Sequence, residues 1–172
     1  MRMDVFYTVF PSPIGLIGIA STHKGLCKVT TALANESDFK NSLKADCGGD
    51  PIKNPKELAK AKDELDMYFA GKLKSFTCKL DMSGGTDFQQ QVWKKLLTIP
   101  YGKSWSYKCL AGAVKRKNAY RAVGNANGKN RLPIIVPCHR VVPRNGGLGG
   151  YTGGVHIKQF LLDLEKRNRA AL

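Results

Sequence analysis

The sequence predicts an α+β protein of two domains, residues 1–82 and residues 86–172. Short apolar runs separated by Pro and Gly turns fill the start of the chain, which is typical of an antiparallel sheet. Apolar residues recur at helical spacing through the second half, which predicts a helical domain. Between the two lies Ser83-Gly84-Gly85, a small and flexible tripeptide that we interpret as the linker.

Charge divides the chain at the same place. Residues 1–85 carry twelve Lys and Arg against ten Asp and Glu, whereas residues 86–172 carry sixteen against three. The second half therefore holds +13 of the formal net charge of +15. A surplus of this size favours a polyanionic partner, nucleic acid first and an anionic membrane surface second. No apolar stretch approaches the ~18 residues of a spanning helix, and residues 1–10 lack the apolar core of a secretory signal.

The first domain is predicted to be a three-stranded meander followed by a helix. Its apolar runs are residues 5–10, 16–20 and 26–30. Residues 57–70 follow with helical periodicity, and their inward face consists of Leu58, Ala61, Leu65, Tyr68 and Phe69. No constellation of chemical groups gathers in this half, so we expect it to support the other domain.

The second domain is predicted to begin with three helices. Thr86 and Gln89 have the spacing of a capping box, Ser106 can cap a second helix, and Asn118 can cap a third that runs to Ala126. The basic tripeptide Lys115-Arg116-Lys117 forms the turn between the last two, which indicates a helix-turn-helix. The alternative is a plain three-helix core whose exposed face happens to be basic.

Cysteine usage favours a reducing, intracellular setting, which is the cytoplasm or, in a eukaryote, the nucleus. The five cysteines are odd in number and form no CxxC pair: Cys27, Cys47, Cys78, Cys109 and Cys138. Together with His23, the first three have no metal-like spacing, so we expect no zinc. We expect Cys47 in a loop, and Cys27, Cys78 and Cys109 as small core residues.

Cys138 differs from the other cysteines in its surroundings. An apolar run between Pro133 and Pro137 leads to it, and His139 and Arg140 follow directly. Nearby cationic groups favour the thiolate, which is the nucleophilic form, and His139 can accept the thiol proton if a third group orients it. Glu165 is the candidate orienting group, because acidic residues are scarce in this domain. The alternative is a structural thiol beside a surface histidine; a cysteine protease has less support, since its base normally lies far away in sequence.

The segment Pro137-Cys138-His139-Arg140-Val141 resembles the active-site signature of the methylated-DNA–protein-cysteine methyltransferases, also called O6-alkylguanine-DNA alkyltransferases. Further motifs of this family occur in order from Thr86 to Glu165: Phe88-Gln89, Val92-Trp93, Ile99-Pro100-Tyr101-Gly102, Ser106-Tyr107, Leu110-Ala111, Arg121-Ala122-Val123-Gly124, Ala126-Asn127, Leu148-Gly149-Gly150-Tyr151 and Gly153-Gly154. The first half matches only through Ser12-Pro13-Ile14-Gly15. The resemblance implies a ribonuclease-H-like first domain and a winged helix-turn-helix-like second domain.

The resemblance also implies catalytic roles. Cys138 takes the alkyl group directly from O6 of a damaged guanine, His139 deprotonates Cys138 through a bound water, and Glu165 orients His139. Tyr107 donates a hydrogen bond to the guanine ring, and Asn130 ties the helix-turn-helix to the active-site segment. The family often has Pro after this Asn, whereas this chain has Arg131. The product is a thioether, so the reaction is expected to be stoichiometric and to need no cofactor.

The implied partner is double-stranded DNA that contains an alkylated guanine, bound by a monomer with no obligate protein partner and no membrane. Arg121 fills the gap left by the flipped base, and Val141, Tyr151 and Thr152 line the base pocket. The remaining DNA contacts are expected from Ala122, Ala126, Asn127, Tyr107, Lys115, Arg116, Lys117 and Arg140. Whether O4-alkylthymine is also a substrate stays open.

Two other functions remain as alternatives. A non-catalytic helix-turn-helix protein that senses alkylated bases would lack the reactive cysteine, so the presence of Cys138 argues against it. A helix-turn-helix transcription factor would read specific sequences. Its proposed recognition helix offers little beyond Arg121 and Asn127 for that purpose.

Overall fold

The computed structural model of the chain describes residues 4–170, and the chain divides into two compact units after Gly84. We call them the N-terminal unit and the C-terminal unit. The first carries a four-stranded sheet with two helices, and the second is mainly helical. The α+β class predicted from the sequence is therefore confirmed. Within the described residues, no helix is both long and apolar enough to cross a membrane.

The N-terminal unit is built on the predicted meander. Strands β1 (Phe6–Ser12), β2 (Gly15–Thr22) and β3 (Gly25–Leu33) pair antiparallel in sequence order. A two-residue strand, β4 (Ile52–Lys53), pairs parallel with β1 and was not predicted from the sequence. One cluster of buried apolar side chains packs on this sheet: Val5, Tyr7, Ala20, Phe39 and Leu43.

Two helices complete the N-terminal unit. Helix α2 (Ala59–Phe69) confirms the helix expected in residues 57–70, and the five predicted inward residues are all buried. Helix α1 (Glu36–Cys47) was missed, because only Phe39 and Leu43 mark its buried face. Cys47 is consequently the last residue of a helix and not a loop residue.

The C-terminal unit begins with helix α3 (Asp87–Leu96), whose predicted capping box between Thr86 and Gln89 is present in both directions. Trp93 is buried, and its indole N–H donates to the Ala126 carbonyl over 2.9 Å. Gly85 lies against the same ring, and a Cβ there would stand 2.3 Å from a ring carbon. Only glycine fits at that point, so the flexible tripeptide also makes a packing contact.

Helices α4 (Tyr107–Ala113) and α5 (Tyr120–Gly128) form the predicted helix pair. The Ser106 hydroxyl caps α4 by accepting from the Cys109 amide, as expected. The prediction that Asn118 caps the next helix is wrong, because the Ala119 amide first closes an extra turn onto Arg116 and α5 starts at Tyr120 without a side-chain cap. Helix α5 also runs two residues beyond the predicted end at Ala126.

The remaining elements place the cysteine segment. Strand β5 (Trp105–Ser106) pairs parallel with β6 (Val141–Val142), and a single 3₁₀ turn formed by Cys138, His139 and Arg140 precedes β6. Helix α6 (Val155–Asn168) closes the unit and contacts this turn. The chain after Cys138 is thus held by its pairing with β5 and by its contact with α6.

Candidate active site

The chain segment that leads to Cys138 is apolar and buried, and the Asn130 side chain fixes its conformation. The Asn130 side-chain amide donates to the Val136 carbonyl over 2.8 Å, and its oxygen accepts the Leu132 amide over 2.9 Å. Both bonds form even though Arg131 follows Asn130. Ile134 has a φ of 75°, which is costly for a β-branched residue, so the loop depends on these ties.

His139 and Glu165 form a buried pair behind Cys138. The His139 Nε2 atom lies 2.7 Å from Glu165 Oε1, and both side chains are almost fully excluded from solvent. Burial lowers the pKa of His139 more than the neighbouring carboxylate raises it, so the imidazole is neutral near pH 7. An ionised Glu165 fixes the proton on Nε2. Nδ1 is then the basic nitrogen, and it is buried without a protein hydrogen-bond partner.

Arg140 belongs to the same buried cluster. Its guanidinium donates to both oxygens of Glu165 over 2.9–3.2 Å and to the Ile99 carbonyl over 2.6 Å. The Gly102 amide also donates to Glu165. Burial alone would raise the pKa of Glu165, but the His139 and Arg140 contacts outweigh it and hold this pKa well below its ordinary range. A DNA contact by Arg140 is contradicted, because Arg140 is only 6% exposed and fully engaged inside.

Sequence reasoning missed Lys158, a fully buried lysine on α6. Its ammonium group donates to the Val141 carbonyl over 2.7 Å. Its charge lowers the pKa of the Cys138 thiol, as does the Asn130 side chain, but burial is the larger effect and the net pKa is raised. The expectation that His139 and Arg140 hold Cys138 as a thiolate is therefore wrong for this state: His139 is neutral, and Glu165 balances Arg140. The sequence did hold a signal for this burial. Lys158, Leu161 and Glu165 stand at i, i+3 and i+7, so they share one face of α6, and that face is buried.

A cavity of about 350 Å³ opens beside Cys138, and we call it the cysteine cavity. It is lined by Tyr107, Gly124, Asn127, Gly128, Cys138, Gly150, Tyr151 and Thr152. Burial raises the pKa of Tyr107, and the nearby Cys138 adds to this, so the phenol stays protonated and can donate. The same two causes raise the pKa of Tyr151 well above its ordinary value. The structure thus brings together residues that lie up to 45 positions apart in the sequence.

The other predicted site residues fall into two groups. Arg121, Ala122 and the basic turn Lys115-Arg116-Lys117 are exposed, where they can meet a ligand. Three are buried and do not lie on that surface: Ala126 accepts from Trp93, Asn127 faces the cysteine cavity, and the Val141 carbonyl accepts from Lys158. Direct surface contacts to DNA by Ala126 and Asn127 are thus not what the structure shows. Val141, whose backbone was expected to line the base pocket, does not line the cysteine cavity, and its carbonyl is bonded to Lys158.

Among the remaining cysteines, Cys109 is exposed and is not the core residue that we expected, while Cys27 and Cys78 are half-buried. Within residues 4–170, no group of three or more His, Cys, Asp or Glu side chains could hold a metal ion.

Comparisons with known proteins agree with this geometry. Residues 5–82 match the ribonuclease-like domain of 6-O-methylguanine DNA methyltransferase, and residues 87–167 match its DNA binding domain. The chain is 44% identical to the methylated-DNA–protein-cysteine methyltransferase of Methanosarcina barkeri over 95% of this chain and 99% of that protein. The constitutive enzyme of Bacillus subtilis is 41% identical over 94% and 95%.

A solved structure shows the same fold with DNA bound. It is Mycobacterium tuberculosis OGT in complex with DNA, which is 41% identical, covers 95% of this chain and 94% of that one, and superposes with a TM-score of 0.81. Three findings lead to one conclusion. The two domain matches together span most of the chain, relatives matched over almost their full length are more than 40% identical, and the buried turn of Cys138 and His139 faces a cavity. The chain belongs to the 6-O-methylguanine DNA methyltransferase family.

Proposed function

We propose that this protein repairs DNA by moving the alkyl group of O6-alkylguanine directly and irreversibly onto Cys138. The observation that carries the proposal is the position of the Cys138 thiol, on the wall of the cysteine cavity and beside the buried His139–Glu165 pair. A nucleophile, a base and a group that orients the base are the parts that such a displacement needs. A protein that only sensed alkylated bases would have no use for this arrangement.

The chemistry follows from the protonation states. The Cys138 thiol passes its proton, through a bound water, to the basic Nδ1 of His139, whose Nε2 proton stays on the Glu165 side. The sulfur then attacks the alkyl carbon, an S–C bond forms, and the bond between carbon and O6 breaks with its electron pair going to guanine. The guanine anion takes up one proton, which replaces the thiol proton that His139 received and later releases, and it leaves as a neutral base, helped by a hydrogen bond from the protonated Tyr107.

The raised pKa of Cys138 has a clear consequence for this step. In the resting protein the group is a thiol, so it does not react with passing electrophiles. Proton removal is coupled to attack on an alkylated base that occupies the cysteine cavity. Because the product is a thioether, each molecule acts once and no cofactor takes part.

The substrate base has to leave the duplex first, because O6 points into the helix. Unstacking costs a few kcal/mol and least for a base that pairs poorly, which contributes to selectivity. Arg121 fills the vacated position, a role that its exposure on α5 supports. Lys115, Arg116 and Lys117 form an exposed basic turn that can contact phosphates independently of sequence.

We further infer that the protein acts inside the cell as a monomer on double-stranded DNA that contains an alkylated guanine. The +13 charge of the C-terminal half supports attraction to DNA. No obligate protein partner is needed, because nucleophile, base and cavity all lie in one unit.

The test is intact mass analysis with peptide mapping after incubation with a duplex that contains O6-methylguanine. We expect the protein to gain one methyl group at most and to carry it on Cys138. The duplex should then contain unmodified guanine. Binding to the damaged duplex without any change in protein mass would favour the damage-sensing alternative. A modification that exceeds one equivalent, or that maps to Cys109 instead, would contradict the assignment of Cys138.

A further inference from the structure

The last turn of helix α5 contacts two walls of the cysteine cavity. The Asn127 side-chain amide donates to the Cys138 carbonyl over 3.4 Å, and the Gly128 carbonyl accepts from the Thr152 hydroxyl over 3.1 Å. All four residues line the cavity. Two consecutive residues of α5 therefore hold the cysteine segment on one side and the segment of Thr152 on the other.

Thr152 belongs to a loop that has little internal structure. Residues 143–154 connect β6 to α6 and contain six glycines, and we call them the glycine-rich loop. The amides of Gly147 and Gly154 bond to acceptors of the same loop, so they do not attach it to its surroundings. Glycine loses more conformational entropy than any other residue when it is ordered. A bond from this loop to a neighbouring helix is therefore important for its position.

The glycine-rich loop forms one side of the cysteine cavity. Gly150, Tyr151 and Thr152 are consecutive in the loop, and all three line the cavity. Gly149 lies close to another lining residue, because a Cβ at Gly149 would stand 3.7 Å from the Tyr107 hydroxyl oxygen. The position of the loop thus decides the shape of the space that a base would enter.

The Thr152 hydroxyl satisfies a group that the helix leaves open. The Gly128 carbonyl is one of the last four of α5, which have no acceptor role within the helix. A hydroxyl has one proton to donate, and Thr152 gives it to this carbonyl. Both residues are exposed, so the bond lies on the solvent side of the cavity. Thr152 consequently acts on the cavity through the loop that it holds.

We propose that Thr152 is a positioning residue, whose hydroxyl holds the glycine-rich loop against the end of α5 and keeps this cavity wall in place before a base arrives. Without the bond, the arriving base has to order the loop, which costs part of the binding free energy. The hydrogen bond between His139 and Glu165 does not involve the loop, so the chemical step is changed little. The effect on transfer rests on the proposed function, whereas the effect on the order of the loop does not.

The experiment compares three variants with the wild type. Thr152→Val keeps the branched shape and removes the hydroxyl, and Thr152→Ser keeps the hydroxyl. The matched control is Thr98→Val, because the Thr98 hydroxyl donates to the Lys95 carbonyl over 2.7 Å at the end of α3, and Thr98 does not line the cavity. One measurement is the ¹⁵N order parameters of the backbone amides of residues 150–152 without DNA. The other is the rate of methyl transfer against the concentration of an O6-methylguanine duplex.

We expect Thr152→Val to lower these order parameters from about 0.85 towards about 0.6, which marks a change from rigid to flexible backbone. The half-saturating duplex concentration should rise by about 2- to 12-fold, which corresponds to the net contribution of one hydrogen bond. The rate at saturation should stay within about twofold of the wild type, because this bond acts on binding and not on the reacting atoms. Thr152→Ser should recover most of both losses, and Thr98→Val should show neither.

Unchanged order parameters in Thr152→Val would overturn the proposal. A half-saturating concentration that stays constant while the order parameters fall would overturn it as well, and so would an equal change in Thr98→Val. A lower rate at saturation with unchanged half-saturation would place the hydroxyl on the reacting base instead. Order is measured without DNA, so failure of the proposed transfer reaction would appear separately, as a wild-type protein that gains no methyl group.

Discussion

Each unit of the molecule buries a glutamate that accepts a hydrogen bond from the residue beside a cysteine, Thr77 beside Cys78 and His139 beside Cys138. Of these two cysteines, only Cys138 lines the cysteine cavity. In the N-terminal unit, Glu64 accepts hydrogen bonds from the Thr77 amide and hydroxyl and from the Cys78 amide. In the C-terminal unit, Glu165 accepts from His139, Arg140 and the Gly102 amide. One carboxylate is stabilised mainly by neutral groups of a loop, and the other by a guanidinium and an imidazole.

The pKa of both thiols is raised by burial, but the charges that act on them differ. Burial, and then the charge of Glu64 and its hydrogen bond, raise the pKa of Cys78 to about 12, so this thiol stays protonated near neutral pH. Burial also raises the pKa of Cys138, but the charge of Glu165 is balanced by Arg140, and Lys158 and Asn130 favour the thiolate. A buried cysteine can act as a nucleophile when an adjacent neutral base accepts its proton and a cavity gives the substrate access to its sulfur. Proximity to a carboxylate is not enough.

The largest difference between the two pairs should appear when each thiol is removed. Cys138→Ala should abolish methyl transfer to the protein, because the acceptor atom is gone, while binding to an O6-methylguanine duplex is largely preserved. Cys78→Ala should transfer one methyl per molecule at the wild-type rate. Intact mass over time and fluorescence anisotropy with the same duplex measure the two properties.

Transfer that persists in Cys138→Ala would mean that another cysteine accepts the methyl, and peptide mapping would identify it. Loss of transfer in Cys78→Ala with folding intact would mean that the N-terminal unit does more than support the reaction.

The second prediction concerns the base behind Cys138. His139→Asn should slow methyl transfer by about 10²- to 10⁴-fold, which is the usual contribution of a positioned general base. Because burial lowers the pKa of His139, the wild-type rate should stay constant as the pH falls through about 6.5 and decline only in more acidic solution. Rates of transfer to Cys138 between about pH 5 and 9 provide the measurement.

The same variant should also change the shape of the pH profile. Without the base, transfer depends on the thiolate fraction of Cys138, whose pKa is raised. The rate of His139→Asn should therefore climb with pH and show no plateau below about pH 8.5. His23→Asn, at an exposed histidine, is the control and should match the wild type. A flat profile in His139→Asn would show that another group takes the proton.

Local sequence signals predicted the starts of α3 and α4 correctly. The capping box of Thr86 and Gln89 and the cap of Ser106 need only residues three positions apart, so their hydrogen bonds follow from spacing. Asn118 had the right residue type, but a turn closed by neighbouring backbone groups displaced the helix start, which no side-chain pattern records. Strand β4 has two residues and is defined by a partner more than forty positions away.

Burial is the property that the sequence predicted least well within the site. Arg140 and Lys158 look like surface cations in a strongly basic domain, although both are buried. The helical spacing of Lys158 with Leu161 and Glu165 is the one signal that the sequence offered for either of them. Their positions depend on Glu165 and on the Val141 carbonyl, which reach them only in the folded unit. The charge balance around Cys138 therefore required the structure, although Cys138 itself did not.

The smallest effect in this comparison is on stability, and it follows from what each glutamate neutralises. Glu165→Gln leaves the buried Arg140 without its counter-charge, which should cost about 3–5 kcal/mol in the free energy of unfolding. Glu64→Gln leaves no buried cation unpaired and removes only part of a set of hydrogen bonds from uncharged donors, so about 1–3 kcal/mol is expected. Trp93 and Trp105 are the two tryptophans of the chain, so urea unfolding followed by fluorescence reports on the C-terminal unit, and circular dichroism reports on both.

The stability difference measured at acidic pH tests whether the charge of Glu165 is its cause. The pKa of Glu165 is lower in the folded protein than in the unfolded chain, so its contribution is complete above the unfolded-state value of about 4.3 and is lost as the pH falls towards the folded value. The stability difference between wild type and Glu165→Gln should therefore shrink below about pH 4. A difference that stays constant in acid would mean that the substituted glutamine merely packs badly. The charge balance between Glu165 and Arg140 would then not explain why the two substitutions differ in their effect on stability.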